Sequence, residues 1–229
     1  MRAQVTRNTA AAPLPGQDEM LAAAQRVAEV QLRYAQAGVG LAAAAVAGTR
    51  QFTPMRHYPA RDVRDAVAGT SFYYHAHLSR RRPEQEHGHF HLFVHDRAPV
   101  AAGKPAFFHL AGLSLDARGE PLRWFTTNRW VTGESWRPAG EVLAALPHFQ
   151  VHTRGRLAPV AEWLSGMVRL FAPQLAGLVA ARDTALAAHV ARRHRGDREA
   201  AFEDRALDVV TECPAALAPR LAELAASQA

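Results

Sequence analysis

The chain contains twelve histidines, and seven of them fall between His75 and His109. Their spacing is what points to chemistry. His75 and His77 stand two apart, and His87, His89 and His91 repeat the same step. A β-strand sends alternate side chains to opposite faces, so each set lines one face of its own strand. Residues directly opposed across an antiparallel pair share a face. A hairpin turning near Arg82–Pro83 therefore unites the two sets whenever paired residue numbers add to an even total. One such register sets His75 against His91, and the next sets it against His89; an odd register separates the sets. A further turn near Val100 places His109 opposite His91. One surface then collects up to six imidazoles, those of His75, His77, His87, His89, His91 and His109.

Neutral imidazoles converging on a point suit zinc, iron, copper or nickel, whereas magnesium and calcium prefer oxygen. Several buried rings without a ligand would leave polar nitrogens needing partners, which favours a mononuclear or dinuclear metal site over packing histidines. Catalytic sites commonly use three protein ligands and keep a position open. With Tyr73 on the histidine face, the all-nitrogen set points to an iron or copper oxidoreductase acting on a small molecule or peptide. His89, Glu86 and Tyr73 are the candidate catalytic groups. Glu86 has the opposite parity to His87 and reaches the site only through a bulge or a loop bend. Asn128 and Arg129, in FTTNRWVTGESW (residues 125–136), are the candidates for orienting a polar or anionic substrate. Two other metal readings compete: a zinc hydrolase with Glu86 or a spare histidine as base, and a store or sensor that binds metal without turnover. The cluster lacks Cys and Met, which disfavours blue-copper electron transfer. No Gly-rich phosphate loop, Gly-x-Ser-x-Gly elbow or His-Glu-x-x-His helix is present.

The elements that must position these residues follow from pattern. SFYYHAHL, HGHFHLFVH, AFFHLAGLSLD and PLRWFTTNRWV are rich in aromatic and branched residues and are divided by turn-forming stretches. They predict an antiparallel meander of about four strands over residues 71–131. Before it, Asp18 caps a helix to about Ala37, with Met20, Leu21, Ala24, Val27, Ala28 and Leu32 at helical spacing. A short helix is predicted over 59–68. Residues 138–229 read as helical: a short 139–146, a long amphipathic 159–171, another from 174 to 193, and a last pair at 199–210 and 214–226. Residues 1–17 read as a disordered leader, and 18–229 as a single α+β domain.

Composition excludes several classes. The chain has 229 residues, 48% of them hydrophobic and 21% charged, which argues against wholesale disorder. The net charge is +6. The basic run at 191–199 is short and the basic tip Arg80–Arg82 reads as a solvated turn, so nucleic acid is not expected as a partner. The single cysteine, Cys213, rules out an internal disulfide framework and a cysteine zinc site. No signal-peptide core or membrane-spanning run is visible, and the expectation is a cytoplasmic protein with no membrane partner.

HGHFHLF, residues 87–93, resembles the histidine-triad nucleotide-binding motif, in which histidines alternate with apolar residues on a strand. That resemblance implies a metal-free nucleotide hydrolase or transferase with His89 attacking phosphate. Gly88 departs from the pattern, and His75, His77 and His109 lie outside it. A His-x-His pair is also shared with cupins, but the following glutamate and spaced third histidine do not align. The longer arrangement HAH…EHGHFHLF…FTTNRWVTGESW is similar to an uncharacterised bacterial family of unknown function. It spans most of residues 58–210 and implies no activity.

Overall fold

Alternation of large apolar side chains builds a sheet with two unlike faces. In the computed structural model, which describes residues 13–46, 48–49, 51–77, 83–96 and 105–227, six antiparallel strands lie in sequence order. They are β1 (Tyr58–Asp65), β2 (Thr70–His75), β3 (Glu86–His95), β4 (Phe107–Asp116), β5 (Pro121–Thr127) and β6 (Val209–Pro214). The architecture is α+β, with a helix before the sheet and helices after it. Residues 1–12 of the expected leader and the tip Arg80–Arg82 lie outside the described residues.

One sheet face is apolar. Phe72, Tyr74, Phe90, Leu92, Leu113, Leu115 and Trp124 are buried there. Against them pack α1 (Gln17–Gln36), α5 (Ala158–Leu170) and α6 (Ala172–Arg193). The Phe90 and Trp163 rings lie 6.4 Å apart and those of Trp124 and Phe171 6.1 Å apart, which fixes α5 and its exit on the sheet. Shorter helices complete the chain: α2 (Leu41–Ala45), α3 (Arg129–Thr132), α4 (Ala139–Ala145), α7 (Arg198–Phe202) and α8 (Leu217–Ala226). No single described helix is long and apolar enough to cross a membrane.

The elements depart from the sequence reading in four places. Residues 59–68 are not a helix; most form β1, an edge strand whose only buried positions are Tyr58, Val63 and Asp65. Pro59 has no N–H to give, and an edge strand tolerates that. At the other edge Val209–Pro214 is strand β6 rather than helix termini, because pairing with β5 captures its β-branched run. The fourth predicted strand stops at Thr127. Asn128 then caps one helical turn by accepting from Arg129 N, and Gly133 at φ 64° ends it. Finally, α1 starts at Gln17 with Gly16, not Asp18, at the cap; Gly16 N donates to the Glu19 carboxylate.

Candidate metal centre

The face of the sheet opposite the helices carries the histidines. The β2–β3 register pairs His75 with His89 and Tyr73 with His91, one of the two even registers. His75, His77, His89 and His91 therefore converge, with one ligand atom of each within 4.8 Å of the others. His75, His89 and His91 are buried, and His77 is partly exposed just past the end of β2. The Nε2 atoms of His75, His89 and His91 are buried and have no hydrogen-bond partner. Burial, reinforced by His89, His77 and His57 nearby, drives the His75 pKa down to about 2. Burial and then His109 hold His91 well below its ordinary value. Both rings are thus neutral, with a lone pair available to a metal.

Behind the rings, hydrogen bonds orient them. Glu86 Oε1 lies 2.7 Å from His89 Nδ1, and Ser114 donates to Glu86 Oε2 at 2.7 Å. Arg123 stands 3.5 Å from the same carboxylate oxygen. Burial alone would raise the Glu86 pKa, but the His89 hydrogen bond, the Ser114 hydroxyl and Arg123 together hold it below the usual value. With the Nδ1 proton of His89 assigned to the Glu86 hydrogen bond, Nε2 is the nitrogen turned to the cluster, the arrangement that metal-ligating histidines commonly use. His91 Nδ1 meets His109 Nε2 at 3.0 Å, and His109 Nδ1 meets Thr127 Oγ1 at 3.1 Å. We assign His91 Nδ1–H as donor to His109 and His109 Nδ1–H as donor to Thr127, since the reverse would bury an unpaired N–H on His91.

Two β-bulges decide which histidines take part. The extra residue between Glu86 and Gly88 turns His87 to the core face, where its Nδ1 bonds Tyr74 Oη at 2.9 Å and its ring stacks on Phe52. His87 is therefore corrected out of the cluster, and the same bulge brings Glu86 in. The β3–β4 register pairs His109 with Phe93, and a second bulge, in β4 at Leu110, then sets Gly112 opposite His91. His109 keeps the histidine face, but both its nitrogens are engaged and it stands behind His91 instead of beside the ligand atoms. Burial, with Arg182 and His89 adding, lowers its pKa to about 3. The carboxylate of Glu134 accepts from His109 N; burial pushes its own pKa up to about 7 against that hydrogen bond and Arg182.

A pocket of about 550 Å³ opens over the cluster. Tyr73 lines it, stacked under His57 with ring centroids 3.7 Å apart, and burial raises the phenol pKa. Phe125 contributes its ring edge-on to His89 at 5.3 Å and His91 at 5.8 Å. Gly112 makes that possible, since a Cβ there would clash with the Cζ and Cε atoms of the Phe125 ring. The two expected substrate-orienting residues sit elsewhere. Arg129 is held by Glu199 and Glu203 and lies over Phe202. Asn128 is fully buried, capping α3 and donating to Ala201 O. Arg123, Trp130 and Arg205 line the pocket in their stead. Sequence reasoning passed over Ser114, Arg123, Phe125 and Thr127; their common strand parity on β4 and β5 was the available signal.

A second histidine group, His189, His194 and Asp204, is differently built. Both of its Nε2 atoms are already spent on Asp204 Oδ2, at 2.8 and 3.0 Å, and the residues are partly exposed.

A family model described as a domain of unknown function, DUF6969, matches residues 21–215. No curated protein and no solved structure matches the chain.

Proposed function

The chain belongs to the DUF6969 family, a domain of unknown function, and we propose that it is a metal-dependent oxidoreductase whose iron or copper ion is held by His75, His89 and His91, with His77 as a fourth imidazole at the rim. The observation that carries this reading is three buried, unpartnered Nε2 atoms in one cluster. Each such atom costs about 1–3 kcal/mol when left unpaired, and one metal ion satisfies all three. Iron or copper bound there supplies redox chemistry at an all-nitrogen shell. The chain's own groups do the rest. Glu86 and His109 fix the ring orientations of His89 and His91, Phe125 and Trp130 limit water, and Tyr73 keeps a protonated phenol on the same face as a proton donor to a bound small molecule or peptide.

A closed zinc site is the second reading, favoured by His77, because four imidazoles complete a tetrahedron and leave no open position. Hydrolysis with Glu86 as base is less well supported, since both its oxygens are engaged by His89 and Ser114. Phosphate attack by His89 gains nothing from Arg123, which is shared between Glu86 and Glu212.

Metal analysis of protein prepared without a His-tag tests the reading, followed by anaerobic loading with Fe(II), Cu(I) or Zn(II). The expected result is about one ion per chain, lost in His75→Ala and His89→Ala, with oxygen uptake by the iron or copper form. Zinc retention without oxygen uptake transfers the site to the second reading. Less than about a tenth of an equivalent after loading removes metal binding altogether.

A further inference from the structure

The charge around the cluster, taken with the shape of the pocket, narrows what binds there. The imidazoles offered to a metal are neutral donors, so a divalent ion held by them keeps its full charge. Among the described residues, the other charged groups lining the pocket are Arg123, Arg205, Glu86 and Asp208, two of each sign. They cancel. Glu86 in particular faces Arg123, which it shares with the exposed Glu212 outside the pocket lining. An uncompensated ion in a largely buried site is costly, and an anion on an open coordination position removes that cost.

The walls give the rest of the ligand. Phe125, Trp130, Val131 and Val209 present apolar surface beside the histidines. Arg205 lies over the Trp130 ring, 4.5 Å from its centroid, so the indole face turned to that cation is not open to the ligand. A phosphate ester needs several unengaged donors, whereas Arg123 is already shared between Glu86 and Glu212. A single carboxylate needs only the metal.

We infer that the pocket takes a small monocarboxylate with an apolar body, aromatic or branched aliphatic, whose carboxylate binds the metal while its body lies against Phe125, Val131 and Val209. This rests on the metal reading above and names its substrate class. The test uses the full chain loaded with Co(II), whose ligand-field bands report a new ligand on the ion. Benzoate, acetate, benzamide and inorganic phosphate are titrated separately. Benzoate is expected to bind at least tenfold more tightly than each of the other three. Acetate within tenfold of benzoate overturns the apolar body, benzamide within tenfold overturns the anion, and phosphate within tenfold overturns the carboxylate. Val131→Glu is expected to weaken benzoate at least tenfold at unchanged cobalt content; unchanged benzoate affinity in that variant also overturns the proposal. Val209→Glu gives the same readout from a different element should Val131→Glu not fold. Cobalt that fails to load sinks the metal reading itself, whereas cobalt that loads without the benzoate preference sinks this inference alone.

Discussion

At the scale of the residue, the candidate centre depends as much on groups behind the imidazoles as on the imidazoles. Glu86 touches no ligand atom, yet it sets which nitrogen of His89 carries the proton. Glu86→Gln keeps an acceptor for that proton but removes the charge, so Co(II) affinity should fall about 10–100-fold. A lowered melting temperature with unchanged Co(II) affinity would assign Glu86 to stability alone. The nitrogen-15 shifts of the His89 ring, which report its tautomer, separate the two cases. Gly112 is a second such position. Gly112→Ala forces the Phe125 ring off His89 and His91, and overpacking of this kind costs about 1–3 kcal/mol. The expected outcome is a lower urea midpoint and a weaker benzoate response, and an unchanged midpoint would contradict the close approach.

At the scale of the element, bulges and turns decide what a strand presents. The β1–β2 turn hangs on Asp65, whose carboxylate accepts from Val67 N and Ala68 N and from both the backbone and the ring of His152. Burial alone would raise its pKa; the hydrogen bonds from Ala68, His152 and Val67 outweigh burial and hold it below the ordinary value. A carboxyl whose folded pKa is depressed binds fewer protons folded than unfolded. Its contribution is therefore present above the unfolded value of about 3.9 and is lost as pH falls through the folded value. Asp65→Asn should cost about 1.5–3 kcal/mol at neutral pH, the range for hydrogen bonds to a charged group. The gap to the unsubstituted protein should narrow below about pH 4. Urea unfolding at neutral and acid pH measures it, and a gap independent of pH would exclude the ionised carboxylate as its source.

At the scale of the whole molecule, the sheet keeps two functions apart: one face packs against helices and the other holds the histidines. Where α5 crosses α1, a Cβ on Gly166 would come within 2.8 Å of Val27 Cγ2. Gly166→Ala gains about 1 kcal/mol of helix propensity but loses about 1–3 kcal/mol to overpacking, so a small net loss of stability is expected in urea. Co(II) affinity should be unaffected, because the crossing lies on the far side of the sheet. A tenfold change in that affinity would mean that helix packing reaches through the sheet to the cluster.

Much of this was present in the one-dimensional pattern. The step of two between His75 and His77 and between His89 and His91 placed each pair on one strand face. The aromatic-rich segments with turn residues between them specified the meander, and the spacing of Val27 and its neighbours specified α1. Local pattern carries such information because strand and helix periods are properties of the backbone. It could not place the two edge strands: half of β1 is charged and β6 has no buried position, and only hydrogen bonding to β2 and β5 makes them strands. Nor could it locate the bulges at His87 and Leu110, each of which adds one residue to one strand and reverses the parity beyond it. The insertion at His87 sent that ring to the core and brought Glu86 to His89, while the β3–β4 register set His109 opposite Phe93 and the insertion at Leu110 put Gly112 opposite His91. Tertiary structure alone decided that, because a bulge is settled by how two strands fit together and not by either strand's own sequence.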